Sequence, residues 1–378
     1  MVRNRLAYRA AVVPRRLVRR LSTPTVPVVS IRPFVRTREH SDADRAASAR
    51  QWDRAMSDVG FAFLVGHGID SETVRSLREG CSAYFRRDAA YKESYRHAAY
   101  GSPLGGYEGF GEQAVGRSNE FGNGGLSAVQ AVPDPVESYV CSRGDPAEWG
   151  ATLPQQPAEF RAAAAAYYGH MRRVLDGLNL MTAAALGLPS RYFDPLFSPA
   201  PQCFVVAKHY PAPDGGSDGG VRYGAHTDYG GYTVLKPDDA DGSAPGAGGL
   251  EVLLKDRSAW LPVRAPREDA FVVNIGDLYE DMTNGRWTST VHRVRKPSAG
   301  AAAASRGRLS IAFFSGPHDD ALCDTLPSCV PVDGSERRMR EPITAGAHLR
   351  KKIEATRVPT RLSPKGDDDL YKYSAAAK

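Results

Sequence analysis

Apolar and polar positions change their spacing about halfway along the chain. The first half alternates short apolar runs with helical periodicity. Val26–Ile31 reads as a first strand, and Ser41-Asp42 as the cap of a helix running through Ala46, Trp52 and Met56 to Gly60. Phe61–Ile69 reads as a short buried strand followed by a turn, and Ser71 opens another helix through Val74, Leu77 and Phe85. From Pro157 to Leu186 the apolar positions Phe160, Ala164, Tyr167, Met171, Leu175, Leu178, Met181 and Ala185 follow the period of one helix face, and Gly187-Leu188-Pro189 ends it. After Phe204 the period drops to two. Val205–Tyr210 alternates and breaks at Pro211, Thr233–Leu235 is a short strand, Leu250–Leu254 and Trp260–Val263 form a hairpin, and Ala270–Ile275 and Leu309–Phe314 are further strands. Thr344–Ala355 is patterned as a closing amphipathic helix, and beyond Pro359 lies a charged tail.

Short strands with no long helix between them, from Phe204 to Phe314, predict a β-barrel or jelly roll. The earlier helices then cover its outside. Gly105–Gly111 is a glycine-rich loop without the flanking strand and helix of a phosphate cradle. Residues 238–249 and 298–305 are compositionally loop expansions.

Composition adds little until it is divided. Hydrophobic residues make up 42% and charged residues 24%, as in an ordinary globular chain, and no apolar run reaches the ~18 residues of a membrane span. The net charge of +6 misleads, because seven arginines and no acid lie within residues 1–21. Without them the chain is close to neutral, which argues against a nucleic-acid groove. The basic stretch 1–24 matches an organelle-targeting leader, mitochondrial or other; the alternative is a plain basic tail on a cytoplasmic protein. Five scattered cysteines with no C-x-x-C argue against a disulfide framework or structural zinc.

The candidate chemistry sits in Gly224-Ala225-His226-Thr227-Asp228-Tyr229-Gly230-Gly231, together with Val291-His292-Arg293. On an extended strand His226 and Asp228 point to one face, and His292 can join them from a neighbouring strand. Two histidines and one carboxylate on one side of a metal leave the other positions open, as in non-haem Fe(II) oxygenases. H-x-D alone is a weak signal. Its neighbours sharpen it: His209-Tyr210-Pro211 upstream, Asn274-Ile275-Gly276-Asp277, then Arg308-Leu309-Ser310 after the distal histidine. In this order the segments resemble the 2-oxoglutarate-dependent Fe(II) dioxygenases of the isopenicillin N synthase-like group, from about Pro27 to the closing helix.

The resemblance implies an α+β fold: a double-stranded β-helix (jelly-roll) core flanked by N-terminal and C-terminal helices. It divides the chain into a leader (1–24), an N-terminal helix-and-strand region (25–200), the binding core (201–320) and a C-terminal helix with tail (321–378). It implies that His226, Asp228 and His292 ligate Fe(II). Arg308, Ser310 and Tyr210 would hold the distal carboxylate of 2-oxoglutarate; a planar two-donor guanidinium suits that task better than lysine does. O2 is the oxidant and ascorbate a candidate reductant. A small organic substrate would be hydroxylated, desaturated or cyclised as succinate and CO2 leave. Phe314, Tyr107, Phe110 and Phe121 are candidate pocket walls, with core packing an equal reading for the last three. His67 is assigned a structural role, and Asn274 and Asp277 are expected to fix the strand and turn. A monomer with a small-molecule partner, no nucleic acid and no membrane span is expected. Two rivals stay open at this level: an oxidase with the same triad that does not use 2-oxoglutarate, and a non-catalytic jelly-roll binding module.

Overall fold

The structure, a computed structural model, describes residues 25–96, 105–121, 132–141, 157–211, 220–236, 249–256, 259–296, 307–330, 341–356 and 358, with no side-chain description at 119–121. The leader, most of both loop expansions and the tail lie outside these residues. Local chemistry sets the helix ends. Ser41 caps the helix Asp42–Asp58 with a reciprocal box: its hydroxyl accepts from Asp44 N at 3.2 Å, and Asp44 Oδ2 accepts from Ser41 N at 2.9 Å. Asp70 caps the helix Ser71–Phe85 through Thr73 N. The long helix spans Arg161–Ala185, four residues later than its apolar pattern begins, because Pro157–Phe160 forms only a turn.

Among the described residues, twelve strands make two facing sheets. They are β1 (Val28–Ser30), β2 (Phe61–Val65), β3 (Gly106–Glu108), β4 (Glu137–Cys141), β5 (Gln202–Tyr210), β6 (Val221–His226), β7 (Tyr232–Lys236), β8 (Leu250–Leu253), β9 (Trp260–Pro262), β10 (Phe271–Ile275), β11 (His292–Arg295) and β12 (Arg308–Gly316). The larger sheet has the order β1-β2-β10-β7-β12-β5-β4-β3, and the smaller β6-β11-β8-β9. This is the jelly-roll core, with helices on the outer face of the larger sheet. Part of the glycine-rich 105–111 stretch is therefore an edge strand rather than a loop, because Gly106–Glu108 finds Ser138–Val140 as a ladder partner.

Strand alternation separates two apolar cores. On β5 and β12, Cys203, Val205 and Ala207 with Leu309, Ile311 and Phe313 face the helices, where Trp52, Tyr167, Met171, Leu175 and Leu178 are buried against them. Full burial of each such side chain contributes about 1.5–3 kcal/mol. The opposite face carries Phe204, Val206, Lys208 and Tyr210 beside Arg308, Ser310, Ala312 and Phe314. That face looks into the space between the sheets, where Phe61, Phe63, Val252, Val272 and Val294 form a second, smaller core. Polar side chains thus occupy inward positions along two long strands, and they mark the site. His67 holds the β2 turn structurally: Nε2 donates to Asp269 O at 2.7 Å and Nδ1 accepts from Ile69 N at 3.1 Å.

Candidate metal centre

His226 and His292 are direct register partners across β6 and β11, and their ring centroids lie 4.2 Å apart. Each Nδ1 faces a carbonyl: Gly224 O at 2.8 Å for His226 and Thr290 O at 3.0 Å for His292. A carbonyl only accepts, so each Nδ1 carries the proton and each Nε2 is left with a lone pair. Both Nε2 atoms lie 3.7 Å from the same atom, Asp228 Oδ1. Two lone pairs and a carboxylate oxygen cannot hydrogen-bond one another. A cation between them resolves the conflict, since bonds of about 2.1 Å bridge donors up to ~4.2 Å apart. The three ligand atoms all lie within 4.8 Å of one another, and all three residues are buried.

Electrostatics agree with that chemistry. Burial, and then the neighbouring His292, push His226 down to about 3, so its imidazole is neutral and able to ligate. Burial acts to raise Asp228, but hydrogen bonds from Thr233 and Asn274 favour its ionised form, and its carboxyl lies below the usual carboxylate range.

Asp228 does not lie on the strand, as i, i+2 geometry suggests; β6 ends at His226. The larger sheet brings Asp228 into place instead. Asn274 Nδ2 on β10 donates to Asp228 Oδ2 at 2.5 Å, and Asp277 N donates to Asp228 O at 2.9 Å. Glycines let this turn press backbone on backbone. A Cβ on Gly276 would meet Gly230 O at 2.6 Å, and one on Gly230 would meet Ser315 O at 2.9 Å. Asn274 and Asp277 thus fix the strand and the turn. Asp277 also accepts from Ser289 Oγ at 2.9 Å and pairs with the buried Lys352 at 2.7 Å.

Arg308 and Ser310 face inward from β12, with Tyr210 opposite Arg308 in register. Arg308 Cζ lies 5.4 Å from the Tyr210 ring centroid, and Ser310 hydrogen-bonds Tyr210. Arg308 Nε and Nη1 are buried with no hydrogen-bond partner. Unpaired buried guanidinium donors are costly and are suited to an incoming carboxylate. Phe314 shares this inner face, in register with Thr233 and Phe204. The other pocket candidates are not brought there. Tyr107 turns its side chain to the helix side, into the cluster with Tyr84 and Tyr139, and donates to Glu137 at 2.7 Å. The alternation of β3 puts Glu108, not Tyr107, on the inner face. Phe110 is 49% exposed, in the turn after β3. The Phe121 side chain is outside the described residues.

Sequence reasoning missed several inward polar residues. From Ser310, which the sequence did mark, Lys208, Ser138 and Glu108 follow as successive register partners across β5, β4 and β3, a polar row with steps of about 4.8 Å. Lys208 Nζ donates to Tyr223 Oη at 3.0 Å, and the Tyr223 ring lies 5.0 Å from that of His226. Gln113 accepts from Tyr223 at 3.0 Å and donates to Glu108. Asp134 accepts from Val115 N and Gly224 N, both at 2.8 Å, tying the segment after β3 to β6. Arg222, at the start of β6, is buried near Arg308. The signal for Lys208 was available, as a lysine in the same inward phase as Tyr210. Arg222 carried none, because irregular register between β6 and β11 breaks the alternation there.

Known proteins resemble this chain in sequence and in fold. The profile of the 2OG-Fe(II) oxygenase superfamily matches residues 201–317, and that of the non-haem dioxygenase in morphine synthesis N-terminal region matches 26–156. A 2-oxoglutarate-dependent dioxygenase of Penicillium crustosum is 30% identical over 73% of this chain and 81% of its own length. The validamycin A dioxygenase of Streptomyces hygroscopicus subsp. limoneus is 30% identical over 82% of each chain. Among solved structures, a 2OG-Fe(II) oxygenase family protein from Caulobacter crescentus superposes with a TM-score of 0.69 at 25% identity, covering 88% of this chain and 99% of its own. A full-length Neurospora crassa protein, solved in complex with alpha-KG and 5-formyluracil, has the same fold at 23% identity, with a TM-score of 0.69 over 88% of this chain and 96% of its own.

Proposed function

The chain belongs to the 2-oxoglutarate/Fe(II)-dependent dioxygenases of the isopenicillin N synthase-like group, and from that membership we propose that His226, Asp228 and His292 hold its iron while Arg308, Ser310 and Tyr210 seat the cosubstrate. Bound iron, 2-oxoglutarate and O2 together supply an oxidant able to take hydrogen from a C–H bond, with release of succinate and CO2. The chain's own part is placement. Carbonyls at Gly224 and Thr290 fix the histidine tautomers, and Asn274 aims the carboxylate. Arg308 anchors the diacid at its far end, which sets its reach toward the triad. The apolar second core keeps bulk water from the reacting atoms. The observation that carries the assignment is the single carboxylate oxygen 3.7 Å from two imidazole lone pairs.

His226→Ala should abolish both Co(II) binding, followed by its visible absorption, and Fe(II)-dependent succinate release. Arg308→Ala should keep metal binding and raise the 2-oxoglutarate requirement. Unchanged turnover in either variant removes the assignment.

The substrate side is the polar row leading from Ser310 through Lys208 and Ser138 to Glu108, with Tyr223 and Gln113 beside it. Buried groups of this kind discriminate against ligands that leave them unpaired. The substrate is therefore a small molecule bearing hydrogen-bonding groups, and stimulation of succinate release only by hydrocarbon terpenoids in a substrate panel would refute this. Residues 1–24 serve as an organelle-addressing leader, which an import assay into isolated mitochondria with and without them tests.

A further inference from the structure

Arg308 is not the sole buried guanidinium at its end of the barrel. Arg222 is 4% exposed and Arg308 5% exposed. Among the described residues no carboxylate lies within ion-pair distance of either. Among the described residues Arg222 Nη2 donates to Pro211 O at 3.4 Å, while Arg308 Nε and Nη1 are buried without partners there. Both charges act on the hydroxyl of Tyr210. Pro211 follows Tyr210, the register partner of Arg308, so the Nη2 contact brings Arg222 to the same end of β5 and β12; burial, and next the Arg308 charge, hold Arg222 below the usual arginine range. Two like charges in a space of low dielectric repel, and each is desolvated with no counter-ion among the described residues. The arrangement is unfavourable when empty and favourable once a carboxylate enters.

We propose that Arg222 is a second anchor for the distal carboxylate of 2-oxoglutarate, sharing it with Arg308, Ser310 and Tyr210. The proposal rests on the cosubstrate assignment above and adds a residue that the R-x-S pattern does not contain. Two guanidiniums on one carboxylate give the site a strong preference for a diacid over a monoacid oxo compound. They also make the empty site a source of instability that the diacid relieves.

The test uses the full chain with Arg222→Gln, Arg222→Lys and Arg308→Gln. Calorimetric titration of 2-oxoglutarate into the anaerobic Fe(II) protein reads the affinity, with pyruvate as the probe lacking a distal carboxylate. Melting of the chelated protein with and without glutarate reads the empty-site cost. Loss of a charge-assisted contact predicts roughly 10- to 100-fold weaker 2-oxoglutarate binding in Arg222→Gln. Pyruvate binding should be unchanged, so the preference for the diacid narrows by the same factor. The metal-free Arg222→Gln protein should melt at or above the wild-type temperature, and glutarate should stabilise it less. Arg222→Lys, which keeps the charge but loses the planar fork, should show an intermediate loss and keeps the question decidable if the glutamine variant does not fold. Wild-type affinity in both Arg222 variants, or early melting with an unchanged glutarate shift, overturns the proposal. If that happens while Arg308→Gln loses binding, the cosubstrate assignment survives alone; if Arg308→Gln also binds normally, both fall.

Discussion

At the scale of single residues, the site is a set of buried polar groups whose partners are prescribed. Asp134 shows the cost. Burial raises it from 3.8 to about 6, against two backbone N–H donors that favour its charged form. That shift corresponds to roughly 3 kcal/mol. Because the folded value is the higher one, the folded state favours the protonated carboxyl. Its contribution is complete below about pH 4 and is lost as pH rises through about 6. Chemical denaturation between pH 4 and 7 should show this slope in the wild type and a flatter one in Asp134→Asn; identical slopes would contradict it. The triad and Arg308 were legible as residues because their chemistry demands those types at those spacings. Arg222 and Asp134 were not, because a lone arginine or aspartate announces nothing until its neighbours are known; Lys208 shared the inward phase of Tyr210 and could have been found. For Tyr107 the sequence left pocket wall and core packing equally open, and the structure shows core packing. A one-residue change of phase on a strand moves a side chain to the opposite face, and three residues of β3 are too few to reveal the phase.

At the scale of elements, the candidate metal site is a seam between two sheets. The smaller sheet provides both histidines, and the larger provides Asn274, Thr233 and β12, the strand of Arg308. What joins them is the turn from Asp228 to Gly231, held by Gly231 N to Ser315 O at 2.7 Å and Gly276 N to Gly231 O at 2.7 Å. Gly276→Ala places a methyl group 2.6 Å from Gly230 O and 3.0 Å from Asp228 O. This should shift Asp228 away from the histidines. Metal affinity, measured by Co(II) titration, should fall at least tenfold, with the helical circular dichroism retained. Affinity equal to wild type would show that the turn tolerates the shift. Strand and helix existence followed from periodicity, and caps such as Ser41 placed helix starts well. The edge strand β3 escaped because glycine lowers strand propensity, and only pairing with β4 gives it structure.

At the scale of the whole molecule, the C-terminal helix Ala345–Thr356 closes on the site from outside the barrel. Lys352, 1% exposed, pairs with Asp277 at 2.7 Å and donates to Ser118 O at 3.3 Å. Ala114 N donates to Thr356 O at 3.0 Å. Removing one partner of a buried ion pair typically costs 3–5 kcal/mol. Lys352→Ala should therefore lower stability in urea by about that much, and metal loading should drop with it because Asp277 steadies the Asp228 turn; a loss under about 1 kcal/mol would show the pair to be dispensable. No helix among the described residues is long and apolar enough to cross a membrane. The linear chain by itself pointed to the fold class, the candidate iron ligands and the candidate arginine for the diacid. Hydrophobic period and reactive residue type are local properties, and a local reading recovers them. Which face β3 turns inward, how Asp228 reaches the histidines beyond the end of its strand, and the meeting of Arg222 with Arg308 were decided only in three dimensions. Each depends on register between segments far apart in the chain, and no window of sequence contains that information.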